Sequence, residues 1–113
     1  MRFYELRNFV RNKSYKLYDD AKVAALNDMY ERGYVTSFEV DNGVLYAMVD
    51  QWNGDYDDGI SVKEFLDTFQ RLDSENFDGD VMIAESGDFG LTYPIAKPKV
   101  SDEDYALVFR PGD

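Results

Sequence analysis

The sequence predicts an α+β fold: one small domain over residues 1–113, with an antiparallel sheet of four to five strands and two to three helices packed on one face, in the order ααββαβββ. Three observations support this prediction. Apolar residues make up 44% of the chain and aromatic residues 16%, which is enough for a hydrophobic core. Asn42-Gly43 joins two strand-like runs, and residues 62–72 have the apolar spacing of a helix.

The first two elements are predicted to be helices. Apolar residues three and four positions apart favour a short helix over residues 3–12. A second helix is predicted to begin at Asp19 or Asp20 and to end at Gly33, where a left-handed residue is expected. Its apolar stripe consists of Val23, Leu26 and Tyr30.

A β-hairpin is the strongest local prediction. Residues 34–40 and 44–49 are strand-like, and Asn-Gly is the preferred pair for a type I′ turn, since both positions need positive φ. This turn sets a register in which one apolar face is expected to be core. The predicted pairs on that face are Val40 with Leu45, Phe38 with Ala47, and Thr36 with Val49.

A capped helix and three short strands complete the predicted fold. Ser61 and Glu64 form an S-x-x-E capping box at the start of a helix over residues 62–72, with Ile60 and Phe65 at the positions of a hydrophobic staple. Strands are predicted at residues 81–84, 91–95 and 105–109. Pro94 places the middle one at a sheet edge, because proline gives no N–H to a ladder.

Negative charge is the dominant compositional feature. The chain carries 23 acidic and 12 basic residues and a formal net charge of −11. Residues 39–88 hold fourteen acids against only Lys63 and Arg71, a net of −12. Self-repulsion of this size destabilises a fold, and solubility alone needs a net charge of magnitude only about 2–8. Negative charge is therefore interpreted as part of the function.

The missing residue types exclude several classes of function. The chain has no cysteine and no histidine, which removes disulfides, the usual zinc sites, catalytic triads and Cys–His dyads. No phosphate-binding glycine loop is present, and carboxylates are too abundant to mark a catalytic pair. We expect no enzyme activity, no cofactor and no metal. No signal-like or membrane-spanning apolar run is seen, so a cytoplasmic protein of a bacterial host cell is expected.

Residues 53–64 resemble part of an EF-hand calcium loop. Acidic or amide side chains occupy positions one, three and five, and Glu64 occupies position twelve. Position six, which is normally glycine, is Asp58, and the glycine follows one residue late. The segment entering the loop is a predicted strand rather than a helix. The favoured interpretation is a polar loop before a capped helix, with calcium binding as the open alternative.

The N-terminal region is basic, with a net charge of +2 over residues 1–32. One interpretation is a nucleic-acid-binding surface. The favoured one is a solvated helix face that neutralises the acidic region from within the same molecule. The basic residues concerned are Arg2, Arg7, Arg11, Lys13 and Lys16.

The acidic tract is predicted to bind a partner protein. Twelve charges correspond to about 20 Å of duplex DNA, which matches a domain with a radius of gyration of about 13 Å. Trp52 and Tyr56, in a polar region, are expected to be exposed anchors. The predicted partner-binding residues are Glu39, Asp41, Asp50, Trp52, Asp55, Tyr56, Asp57, Asp58, Asp78, Asp80, Glu85 and Asp88.

In size, cysteine poverty and acidity the chain resembles phage anti-CRISPR and anti-restriction proteins. The resemblance implies an inhibitor that mimics DNA and binds a basic nucleic-acid-processing protein: a CRISPR effector, a restriction enzyme or a nuclease. No direct binding of nucleic acid or membrane is expected, and a homodimer stays open. Two alternatives remain: an immunity protein or antitoxin that neutralises a basic nuclease toxin, and a structural or accessory phage-type protein without an inhibitory role.

Overall fold

Two helices and a seven-stranded mixed sheet make up the described part of this small α+β domain. The computed structural model describes residues 1–13, 21–27, 29, 31–52, 59–85, 88–95, 99–101 and 106–109. The helices are α1 (Phe3–Lys13) and α2 (Val62–Ser74). The strands are β1 (Lys22–Leu26), β2 (Arg32–Asp41), β3 (Val44–Trp52), β4 (Asp80–Glu85), β5 (Asp88–Pro94), β6 (Lys99–Ser101) and β7 (Ala106–Phe109).

The strands follow the order β5-β4-β3-β2-β1-β7-β6. The five predicted strands correspond to β2, β3, β4, β5 and β7, and β5 lies at an edge as Pro94 predicts. The prediction of an antiparallel sheet is wrong, because β3 pairs with β4 and β1 with β7 in parallel. The reason is the connection: α2 crosses between β3 and β4, and a strand–helix–strand unit returns the chain in the same direction.

The predicted second helix is also wrong. Residues 22–26 form strand β1, which pairs antiparallel with β2, and Gly33 lies within β2 rather than at a helix end. Between the two strands, the buried side chain of Asn27 accepts hydrogen bonds from the backbone N–H groups of Met29 (3.0 Å) and Glu31 (2.9 Å). These bonds satisfy the backbone of a tight turn and so favour it over a helix. Asp19, Asp20 and Tyr30 lie outside the described residues.

The predicted hairpin is present as β2 and β3. Asn42 (φ 49°) and Gly43 (φ 77°) both have positive φ, and Val40 pairs with Leu45 as predicted. The predicted partner of Val49 is wrong: Val49 pairs with Val35, because β2 contains one extra residue at this point. A bulge shifts the pairing of all residues beyond it by one position, and a register counted from the turn alone does not include this shift.

Helix α2 begins as predicted and ends two residues later. Ser61 Oγ accepts a hydrogen bond from the backbone N–H of Glu64 (3.2 Å). At the other end Asn76 has φ 59°, its N–H donates to the Asp73 carbonyl, and the Phe77 N–H donates to the Leu72 carbonyl. This bond pattern is a Schellman motif, with asparagine in the position that glycine usually occupies.

Both helices cover the same face of the sheet, as predicted. Val40 is an exception to the predicted core face: it is 48% exposed, although its partner Leu45 belongs to the core. No described helix is long and apolar enough to cross a membrane. The main core cluster consists of Phe3, Leu6, Ala21, Val23, Ala25, Val35, Leu45, Ala47, Val49, Val62, Phe65, Phe69, Leu72, Val81, Ile83 and Ile95.

Candidate protein-binding surface

The predicted partner-binding residues divide between two ends of the sheet, separated by the length of β3, roughly 25 Å. The hairpin end contains the Asn42–Gly43 turn, and the tryptophan end contains the β1–β2 turn. Asp55, Tyr56, Asp57 and Asp58 lie outside the described residues, as does the side chain of Asp88. Glu39, Asp41, Asp78 and Asp80 lie at the hairpin end, and Asp50, Trp52 and Glu85 at the tryptophan end.

Strand register places charged residues in one row at the hairpin end. Asp41 pairs with Val44, Val44 with Asp80, and Asp80 with Arg2 through an isolated bridge. Paired residues share a face, and Val44 lies on the face opposite the helices because its neighbour Leu45 belongs to the core. Two strand spacings separate Asp41 from Asp80, about 9.5 Å.

Glu39 and Asp41 present two exposed carboxylates on this face. Both side chains are exposed, and as alternate residues of β2 they project from the same face about 6.6–6.8 Å apart. Within the described part of the chain neither forms an ion pair. No described basic side chain therefore neutralises their charge.

Asp78 and Asp80, in contrast, share one internal cation. The Arg2 guanidinium lies 3.3 Å from the Asp78 carboxylate and 3.4 Å from that of Asp80, and it donates a 2.6 Å hydrogen bond to the Asp78 carbonyl. These are exposed pairs, with 44% of the Arg2 side chain accessible, so solvent screens them strongly. Arg2 lowers the negative charge on this side of the hairpin end without removing it.

Backbone contacts hold the hairpin end rigid. A Cβ added to Gly79 would collide with the Gly43 carbonyl oxygen, so the hairpin turn sits directly against the chain that enters β4. On the other side of that chain, the Phe3 N–H donates to the Gly79 carbonyl (2.9 Å) and the Val81 N–H donates to the Met1 carbonyl (2.8 Å). The backbone of the hairpin end is thus packed together from three segments: the hairpin turn, the chain that enters β4 and the N-terminus.

At the tryptophan end, the Glu85 carboxylate forms a hydrogen bond within the protein. The Trp52 indole N–H donates a 2.7 Å hydrogen bond to the Glu85 carboxylate, and its ring meets that of Tyr93 edge-on, with centroids 6.0 Å apart. An extra residue in β3 before Trp52 turns this side chain to the core face, where it lies half-buried rather than exposed as expected. Asp50 is exposed. Glu85 therefore orients an aromatic ring.

The basic N-terminal residues act within the molecule, as the favoured interpretation predicts for two of them. Arg2 contacts Asp78 and Asp80, and Arg7 pairs with Asp73 on α2. Of Lys16 and the side chains of Arg11 and Lys13 nothing is described. Arg2 and Gly79 were missed as parts of the hairpin end, because each acts through a residue distant in sequence.

The described residues contain no cluster of side chains that could hold a metal ion. Within the described ranges no three Asp or Glu side chains converge on one point, and most of the proposed calcium loop lies outside those ranges.

The chain matches no family model, and neither a curated protein nor a solved structure matches it. Chemically, the hairpin end presents several spaced, exposed carboxylates, an arrangement that is complementary to a group of basic side chains.

Proposed function

We propose that this protein is an inhibitor that acts in the cytoplasm of a bacterial host cell by binding the basic nucleic-acid-binding surface of a target protein. The target belongs to the proteins that process nucleic acid: a CRISPR effector, a restriction enzyme or a nuclease. The observation that supports the proposal is the hairpin end, where exposed carboxylates project from a closely packed backbone in a chain of net charge −11.

The spacing of these carboxylates suits a surface that binds phosphates. Phosphates on one DNA strand rise about 3.4 Å per step along the axis and also turn around it, so neighbouring phosphates lie further apart than this rise. The separation of Glu39 and Asp41, about 6.6–6.8 Å, is comparable to the distance between neighbouring phosphates. Asp80 lies about 9.5 Å away across the sheet, so the charges cover an area rather than a line.

Inhibition proceeds by occlusion. The negative field of the chain accelerates the encounter with a basic surface, and the carboxylates then occupy the positions of phosphates, so that DNA cannot bind. Because backbone contacts hold the segments that carry the carboxylates, binding needs no large rearrangement of the backbone.

Affinity capture from a bacterial lysate that contains CRISPR and restriction effectors tests this proposal. The immobilised chain is exposed to the lysate at about 0.1 M and about 0.5 M salt, and added duplex DNA is used as a competitor. We expect a basic nucleic-acid enzyme to be retained at the lower salt, released at the higher salt and displaced by DNA.

Two results would overturn the proposal: capture of no basic protein, or a partner whose retention neither salt nor DNA changes. A salt-insensitive partner would favour the structural or accessory role. If the captured enzyme is a nuclease toxin encoded beside this protein, the same chemistry would serve an immunity protein instead.

A further inference from the structure

Met29 is the most accessible of the four methionines in the chain. It lies in the β1–β2 turn with 76% of its surface exposed, whereas Met48 is 2% exposed. Met1 and Met82 are half-buried, and Met1 packs against the core. A thioether reacts with oxidants according to its access to solvent, so these four sulfur atoms differ sharply in reactivity.

We propose that Met29 is a site of reversible oxidation by peroxides. The Met29 sulfur attacks one peroxide oxygen, an S–O bond forms and the O–O bond breaks. The sulfur loses two electrons to the peroxide; with hydrogen peroxide the departing hydroxide takes the proton of the new S–OH group and leaves as water. The product is methionine sulfoxide, which methionine sulfoxide reductases return to the thioether.

The structure of the turn explains why the fold tolerates this change. The turn is held by the Asn27 side chain, which binds the backbone N–H groups of Met29 and Glu31, and by the backbone bond from the Asn27 N–H to the Glu31 carbonyl (3.1 Å). None of these bonds uses the Met29 side chain. A sulfoxide at Met29 therefore makes the surface polar without opening the turn, while one at the buried Met48 would disrupt packing.

Dilute hydrogen peroxide applied to the full chain, with oxygen uptake located by peptide mass spectrometry, tests the proposal. We expect the first oxygen atom at Met29, with no shift in Tm and no change in Trp52 fluorescence. Met29→Leu removes this first uptake, whereas the control Met82→Leu leaves it unchanged. Oxidation of Met1 or Met82 as fast as Met29, or a fall in Tm with the first oxygen, would overturn it.

Discussion

The two ends of the sheet contain the same kind of residue in different roles. At the hairpin end Glu39 and Asp41 project from the sheet into solvent. At the tryptophan end the Glu85 carboxylate accepts the indole N–H of Trp52 and is half-buried. A count of acidic residues treats these groups as equal, yet only the exposed ones can meet a partner. We infer that the proposed binding surface consists of the carboxylates that have no described partner within the fold.

The largest expected effect comes from the contact that fixes the hairpin end. Gly79→Ala forces a methyl group into the Gly43 carbonyl oxygen, and we expect it to lower the free energy of unfolding by about 3 kcal/mol. Gly43→Ala is the matched control: its Cβ meets no atom, and only the positive φ of 77° is unfavourable, costing about 1 kcal/mol. Urea unfolding of both variants measures the difference. An equal loss for the two would show that the turn does not pack against Gly79.

A smaller effect is expected at the tryptophan end. Glu85→Gln keeps the side-chain oxygen but removes the charge that strengthens the bond to Trp52, with an expected loss of about 1 kcal/mol and a shift in tryptophan emission. Asp50→Asn, an exposed carboxylate at the same end, is expected to change stability by less than about 0.5 kcal/mol. Equal losses of stability for the two variants would mean that the Glu85 carboxylate does not stabilise Trp52 and would contradict the difference proposed between the two ends.

A loss of stability smaller than that of Glu85→Gln is expected at Arg2. Its ion pairs with Asp78 and Asp80 are exposed, so Arg2→Gln should cost less than about 1 kcal/mol. It should also tighten binding to the target, because the hairpin end becomes more negative. Lys63→Gln makes the same change in net charge on the exposed surface of α2. The affinity of each variant for the captured target is measured by titration. Equally tighter binding by both variants would show that affinity depends on the net charge of the chain rather than on charge at the hairpin end.

Features set by neighbouring residues could be predicted from the sequence. The Asn42-Gly43 turn needs only two residues with positive φ, and the start of α2 needs only Ser61 and its first turn. The parallel pairing of β3 and β4 was predictable from the strand–helix–strand order around α2. It was missed because the hairpin favoured an antiparallel sheet throughout.

Features set by distant residues could not be predicted in the same way. The sequence of residues 22–26 favours a helix, because two consecutive alanines interrupt the alternation of polar and apolar residues that is typical of a strand. The turn that follows depends on hydrogen bonds to the Asn27 side chain. The bulge in β3 that buries Trp52 depends on the partner strand. The pairing of Arg2 with Asp78 and Asp80 joins residues more than seventy positions apart.

Two double variants test whether the hairpin end supplies most of the binding free energy. Glu39→Gln/Asp41→Asn removes two exposed carboxylates from this end, and Glu64→Gln/Asp67→Asn removes two from α2. Binding of both double variants to the captured target is measured at about 0.1 M salt. We expect the first to bind about tenfold more weakly than the unaltered chain and the second to bind nearly as well. Equal weakening by both, or none by the first, would contradict the assignment of the binding surface.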